Sequence, residues 1–113
     1  MITITAVIRA RKGHEGTMSK ALLDVADHVR KNETGTVGFF VSQDNEDPCV
    51  FTTYERFIDS SAMDAHNNSE TVAHFFGVAK PILDSDVILK TCTEISDRAR
   101  LQNASERRWD LNE

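Results

Sequence analysis

Two side chains in this sequence have the types and spacing for proton-transfer chemistry. Glu55 lies in the run Tyr54-Glu55-Arg56-Phe57, which reads as the end of a strand, and His66 lies on the short helical stretch that follows. Alternate residues of a strand face opposite sides, so Glu55 shares one face with Phe57 while Tyr54 and Arg56 share the other. If Phe57 packs beneath helices, Glu55 points there too. A carboxylate in that place needs a partner, because burying it unpaired is costly or forces it to take up a proton. With Asp59 or Ser60 as the helix N-cap, the angular step of the helix sets His66 between Ala62 and Met63, on the face toward the sheet. A carboxylate-supported imidazole there is a proton acceptor tuned near neutral pH. The same pair also has a purely structural reading, in which Glu55 and His66 only tie the helix to the strand.

Around this pair, Phe39, Phe40, Phe57, Met63, Phe75 and Phe76 offer an apolar wall for a small aromatic ligand, although phenylalanines at these spacings also serve as plain core. The other histidines are weaker candidates. His74 falls opposite the stripe Val72, Phe75, Phe76 and Ala79, so it is expected at the surface. His28 flanks the stripe of an earlier helix and His14 sits at that helix's start, and both are expected to be solvated. No GxGxxG, Walker, GxSxG or HExxH motif is present, and no cluster of Cys, His and carboxylates suggests a metal. Chemistry here would run without a recognisable cofactor motif.

The elements that must position the pair follow from periodicity. Residues 2–10 alternate, with Ile2, Ile4, Ala6 and Ile8 on a core face. A helix is expected from His14 or Glu15 to Lys31, with Met18, Leu22, Val25 and Val29 as its apolar stripe and a turn at Thr34-Gly35. Thr36–Ser42 and Cys49–Phe57 read as a hairpin across a polar loop. Two helices separated by Asn67-Asn68 come next, the second stopped or kinked at Pro81, and Asp86–Ile95 is the last strand. The order strand, helix, strand, strand, helix, strand predicts an α+β, ferredoxin-like (split βαβ) fold, an antiparallel sheet with helices on one face. The uncovered face should carry Val7, Phe40 or Val41, and Val50 or Phe51, half-apolar enough to predict a homodimer through the open sheet face. One domain over 1–96 and a polar tail over 97–113 complete the chain. Trp109 in that tail either docks on a partner subunit or belongs to a frayed end.

Composition sets the outer limits. With 113 residues, 40% hydrophobic and 27% charged, the chain can bury one core without staples. The net charge of −5, with no basic stripe, argues against a nucleic-acid partner. No apolar run is long enough to span a membrane, and the alternating start lacks the features of a signal peptide, so a cytoplasmic location is expected. Cys49 and Cys92 then read as buried reduced thiols.

The opening strand with Ile8-Arg9-Ala10-Arg11-Lys12-Gly13, the Tyr54-Glu55-Arg56-Phe57 strand end, and Ala65-His66 followed by Ser69 resemble the antibiotic biosynthesis monooxygenase (ABM) domain family. The resemblance covers roughly residues 1–95. It implies a ferredoxin-like fold assembled as a dimeric α/β barrel, with a pocket in each subunit between sheet and helices. Members include cofactor-independent monooxygenases of quinols and phenolic polyketides, in which the substrate anion itself reduces dioxygen without flavin or metal. By that resemblance His66 would be the proton acceptor, Glu55 its support, and the phenylalanines the pocket wall. Haem-degrading members carry an Asn on the first strand, a Trp near the helical His position and a haem-ligating His one helix later. Here those places hold Ala6, His66 and Phe76, which disfavours haem chemistry. Other relatives isomerise small carbonyl metabolites. The competing reading is a non-catalytic dimeric module for small-ligand binding or assembly.

Overall fold

The computed structural model describes residues 1–96, so the expected placement of Trp109 and the polar tail lies outside the described residues. The elements run β1 (Ile2–Arg9), α1 (Glu15–Asn32), β2 (Thr36–Gln43), β3 (Val50–Phe57), α2 (Ser60–Asn67), α3 (Glu70–Ala79), a 3-10 turn (Lys80–Ile82) and β4 (Ile88–Thr93). The sheet order is β2-β3-β1-β4, antiparallel throughout, so β1 and β2 run parallel with β3 between them. This is the ferredoxin-like arrangement, with the helices on one face. The strand alternation decides which residues they cover. Ile4, Ala6 and Ile8 of β1 and Phe51 and Phe57 of β3 are buried beneath Met18, Leu22, Val25 and Val29 of α1 and Phe75 and Ala79 of α3. Pro81 does not kink α3 but sits in the 3-10 turn that follows it, a position where its missing N–H costs nothing. Among the described residues, no helix is long and apolar enough to cross a membrane.

β2 corrects the expectation that Phe40 is part of the pocket wall. Its register against β3 shifts between Thr36 and Gly38, so that Phe39 pairs with Glu55 and Val41 with Thr53 on the helix side. The bulge inserts one residue and reverses the faces that follow it. Phe40 therefore pairs with Tyr54 on the opposite side of the sheet and is 62% exposed, away from Glu55 and His66. Of the alternatives for the uncovered face, Phe40 is on it and Val41 is not, while Phe51 is buried under the helices. The cysteines depart from expectation too: Cys49 is half-buried and Cys92 is exposed on the edge strand β4.

Each capping contact that positions α2 is local. Asp59 accepts a hydrogen bond from the Ala62 N–H at 2.8 Å and starts the helix. Ser69 receives the Val72 N–H at 3.2 Å and starts α3, leaving His66 in the last turn of α2. The lateral position of α2 is set by Gly35. Its carbonyl accepts the Ile58 N–H at 3.0 Å, and a Cβ built on it would stand 2.6 Å from the Cβ of Ala62. Gly35 thus serves close approach and not an unusual backbone angle; among the described residues the positive φ belongs to Gly13, at +91°.

Adding that methyl group should push α2 off the α1–β2 turn. Overpacking costs about 1–3 kcal/mol, against about 0.4–1 kcal/mol gained by restricting the unfolded chain. Gly35→Ala should therefore lower stability in urea denaturation. An unchanged or higher midpoint would show that α2 is not held by this contact.

Candidate active site

His66 is 4% exposed and Glu55 7%, and the two expected partners are brought together, with Nε2 of His66 3.4 Å from Oε1 of Glu55. That is long for a hydrogen bond and better described as a charge contact. The shorter bond is one the sequence reading missed: Nδ1 lies 2.9 Å from Oε1 of Glu33. Glu33 follows the last residue of α1 with extended backbone, and its N–H closes the helix on the Val29 carbonyl. The imidazole thus lies between two carboxylates. Each of those carboxylates is held by a threonine hydroxyl, Thr36 donating to Glu33 at 2.7 Å and Thr53 to Glu55 at 2.8 Å. The bulge at Val37 leaves Thr36 on the helix side, facing Glu33, before the faces reverse. The rings of Phe39 and Phe57 flank the imidazole, with centroids 5.5 and 5.3 Å away.

The electrostatics are those of an imidazolium clamp. Burial alone works against a charged ring, but the Glu55 and Glu33 carboxylates outweigh it and raise the His66 pKa above its ordinary 6.5. His28 borders the outer side of Glu33, with its Nε2 3.9 Å from Oε2 and its Nδ1 facing the Asn32 amide at 3.2 Å. It is half-buried where a solvated residue was expected.

Two spaces meet at His66. On the sheet side, Ala6, Phe39, Thr53, Glu55, Phe75 and Phe76 line an inner cavity of about 70 Å³. On the outside, a groove of about 470 Å³ runs between the end of α1 and α2 past His28, Glu33, Gly35, Asp59 and Ala62. Of the residues proposed as pocket wall, Phe39, Phe75 and Phe76 line the inner cavity, and Phe57 packs on the imidazole. Phe40 lies on the far face of the sheet, and Met63, half-buried on α2, lines neither space. His74 is exposed, and it borders a separate groove between α1 and α3. Among the described residues, no group of three His, Cys, Asp or Glu side chains is arranged to hold a metal ion.

A split βαβ sheet that carries a titratable pair under its helices defines a class, and the comparisons define the family. A sequence model described as antibiotic biosynthesis monooxygenase matches residues 1–77, and the chain belongs to that family. Among solved structures, a candidate antibiotic biosynthesis monooxygenase from Deinococcus radiodurans superposes with a TM-score of 0.80 at 20% identity, covering 91% of this chain and 100% of that one. One from Caulobacter crescentus gives 0.79 at 16% identity over 84% of this chain and 90% of that one. A Pseudomonas aeruginosa protein gives 0.77 at 24% identity over 84% and 94%. At these identities the likeness establishes the fold. No curated protein matches the chain.

The clamp sets a pH dependence. Unfolded His66 titrates near 6.5 and the folded residue above it, so its contribution is complete below about pH 6.5 and disappears as pH rises through the folded value. Urea stability of the wild type should therefore fall over that interval, and His66→Gln should flatten the fall. A variant with the wild-type slope would assign the pH dependence to other groups.

Proposed function

We propose that this chain is a cofactor-independent monooxygenase that oxidises a small aromatic, quinol-like substrate with dioxygen. The observation that carries this reading is the Glu55–His66 pair on the wall of an apolar cavity lined by Phe39, Phe75 and Phe76. Membership of the antibiotic biosynthesis monooxygenase family supports it.

In the neutral ring, Glu33 holds the Nδ1 proton and leaves the Nε2 lone pair 3.4 Å from the Glu55 carboxylate. That is an unfavourable approach, and a proton at Nε2 relieves it. A quinol hydroxyl beside Nε2 gives up its proton there, and the imidazolium that results lies between two anions. The quinolate is richer in electrons than the quinol, so it can reduce dioxygen with no flavin or metal. The balance closes without an external reductant: quinol plus dioxygen gives hydroxyquinone plus water, with all four electrons supplied by the substrate. The protein contributes the base, the orientation and an enclosure that excludes water.

The cavity must widen to admit a ring, since an engineered cavity of about 150 Å³ is what accommodates benzene and this one holds about 70 Å³. Leu89, 50% exposed on β4, and the half-buried Phe76 are lining residues with solvent on one side. The small volume favours a second reading, a non-catalytic assembly module in which the clamp only fastens α2. Under either reading the open sheet face pairs with a second copy, through Val7, Phe40, Tyr54 and Ile88. We assign the chain to the cytoplasm, where the free thiols of Cys49 and Cys92 stay reduced.

An oxygen electrode distinguishes the two readings. Hydroquinols or anthrones should stimulate oxygen uptake, and His66→Ala should lower the rate by about 10²- to 10⁴-fold. Turnover that survives in a loosened His66→Ala protein would leave the structural role alone standing. For the dimer, Phe40→Glu should convert a two-chain mass in light scattering to a one-chain mass. A wild-type protein of one-chain mass at micromolar concentration would contradict the pairing.

A further inference from the structure

A buried base works only if its proton can reach solvent. His66 is the one residue that lines both the inner cavity and the outer groove among the described residues. On its cavity side it meets Glu55, which Thr53 backs, and the rings of Phe39 and Phe57. Of these, the polar Glu55 side chain is 10% exposed, across the longer 3.4 Å contact. On the groove side, side-chain exposure rises from 4% at His66 to 16% at Glu33, across a 2.9 Å hydrogen bond. Glu33 opens on the groove, where the other titratable groups are His28 and Asp59. The Asp59 carboxylate is occupied by the Ala62 N–H. His28 accepts the Asn32 amide at Nδ1, so its neutral form carries the proton on Nε2, facing Glu33, and takes none from it.

We propose that Glu33 is the proton port of the site, a positioning residue that takes the Nδ1 proton of His66 and passes it to water in the outer groove. The need for such a port rests on the monooxygenase reading; the path itself rests on the geometry. While the quinolate reduces dioxygen, the imidazolium formed at Nε2 is discharged through Nδ1, and it is recharged the same way when the departing oxygen needs a proton, so the port carries one proton out and one back in each turnover. On the outward step the Nδ1–H bond breaks, an O–H bond forms on Glu33, and groove water then carries that proton away as hydronium. The return step reverses this while Nε2 gives its proton to the oxygen that leaves as water.

Glu33→Gln isolates the port, because the amide oxygen still accepts the Nδ1 proton and keeps the ring oriented but cannot carry that proton onward. Nitrogen relaxation dispersion on the His66 ring, at its titration midpoint, reads proton exchange with solvent whether or not a substrate is known. Exchange should slow by about tenfold or more in Glu33→Gln, the lower end of what a positioned proton-transfer group contributes. With a quinol that the wild type oxidises, kcat should fall with KM unchanged, and added formate should restore it. Wild-type exchange in Glu33→Gln would overturn the proposal. If Glu33→Gln does not fold, Glu33→Asp keeps a carboxylate at the port and should retain exchange close to wild type; slow exchange there would overturn the proposal as well. Should the wild type oxidise no quinol, the monooxygenase reading falls while the exchange rate still decides the port.

Discussion

The structure around the site depends on one buried imidazole held between two carboxylates. His66 joins three parts of the chain that are distant in sequence: the end of α1 through Glu33, the third strand through Glu55, and α2, which carries it. A single carboxylate would form a pair of the kind that often ties elements together. Two carboxylates, each fixed by a threonine, hold both ring nitrogens and favour the charged ring. With no buried polar side-chain atom unpartnered among the described residues, the cluster is fully satisfied. That satisfaction fits a structural clamp as readily as a base, which is why the position of the clamp matters. It stands where a small apolar cavity beneath the helices meets the outer groove between α1 and α2.

Most of the fold was legible in the sequence because it rests on long, regular patterns. The β1 alternation and the Met18, Leu22, Val25 and Val29 stripe each repeat often enough to fix a face, and Ile4, Ala6, Ile8 and the whole stripe are buried as expected, with Ile2 at the strand's start half-buried. The Glu55–His66 approach was legible for the same reason, since strand alternation and helical step each require only local geometry. Glu33 was not legible. It lies just past the periodic part of α1, where no repeat determines its direction, and its contact with His66 spans 33 residues. The local signal that did exist, Thr34-Gly35, correctly marked a turn, but it gave no sign that Gly35 is also the point at which α2 approaches most closely. Ala62 at the facing position shows only in retrospect that two small residues were paired.

Phe40 shows how a single inserted residue defeats pattern reading. Two adjacent phenylalanines must face opposite ways, and the bulge beside Val37 selects Phe39 for the cavity. Nothing in TVGFFVSQ marks the bulge. The same insertion leaves Thr36 beside Glu33, so the feature that misplaced one wall residue also supplies the hydroxyl that steadies the second carboxylate. The outer face that receives Phe40 is crossed by Arg56, which bonds Glu94 with its Nη2 2.9 Å from Oε1.

The central claim is that both carboxylates act on His66, and the ring's own titration tests it most directly. Proton NMR of the His66 ring should give a midpoint above about 6.5, displaced in the direction that burial alone would oppose. Glu55→Gln should bring that midpoint down. A wild-type midpoint at or below the ordinary value, unmoved by Glu55→Gln, would mean that burial governs the ring and that the clamp is not charged.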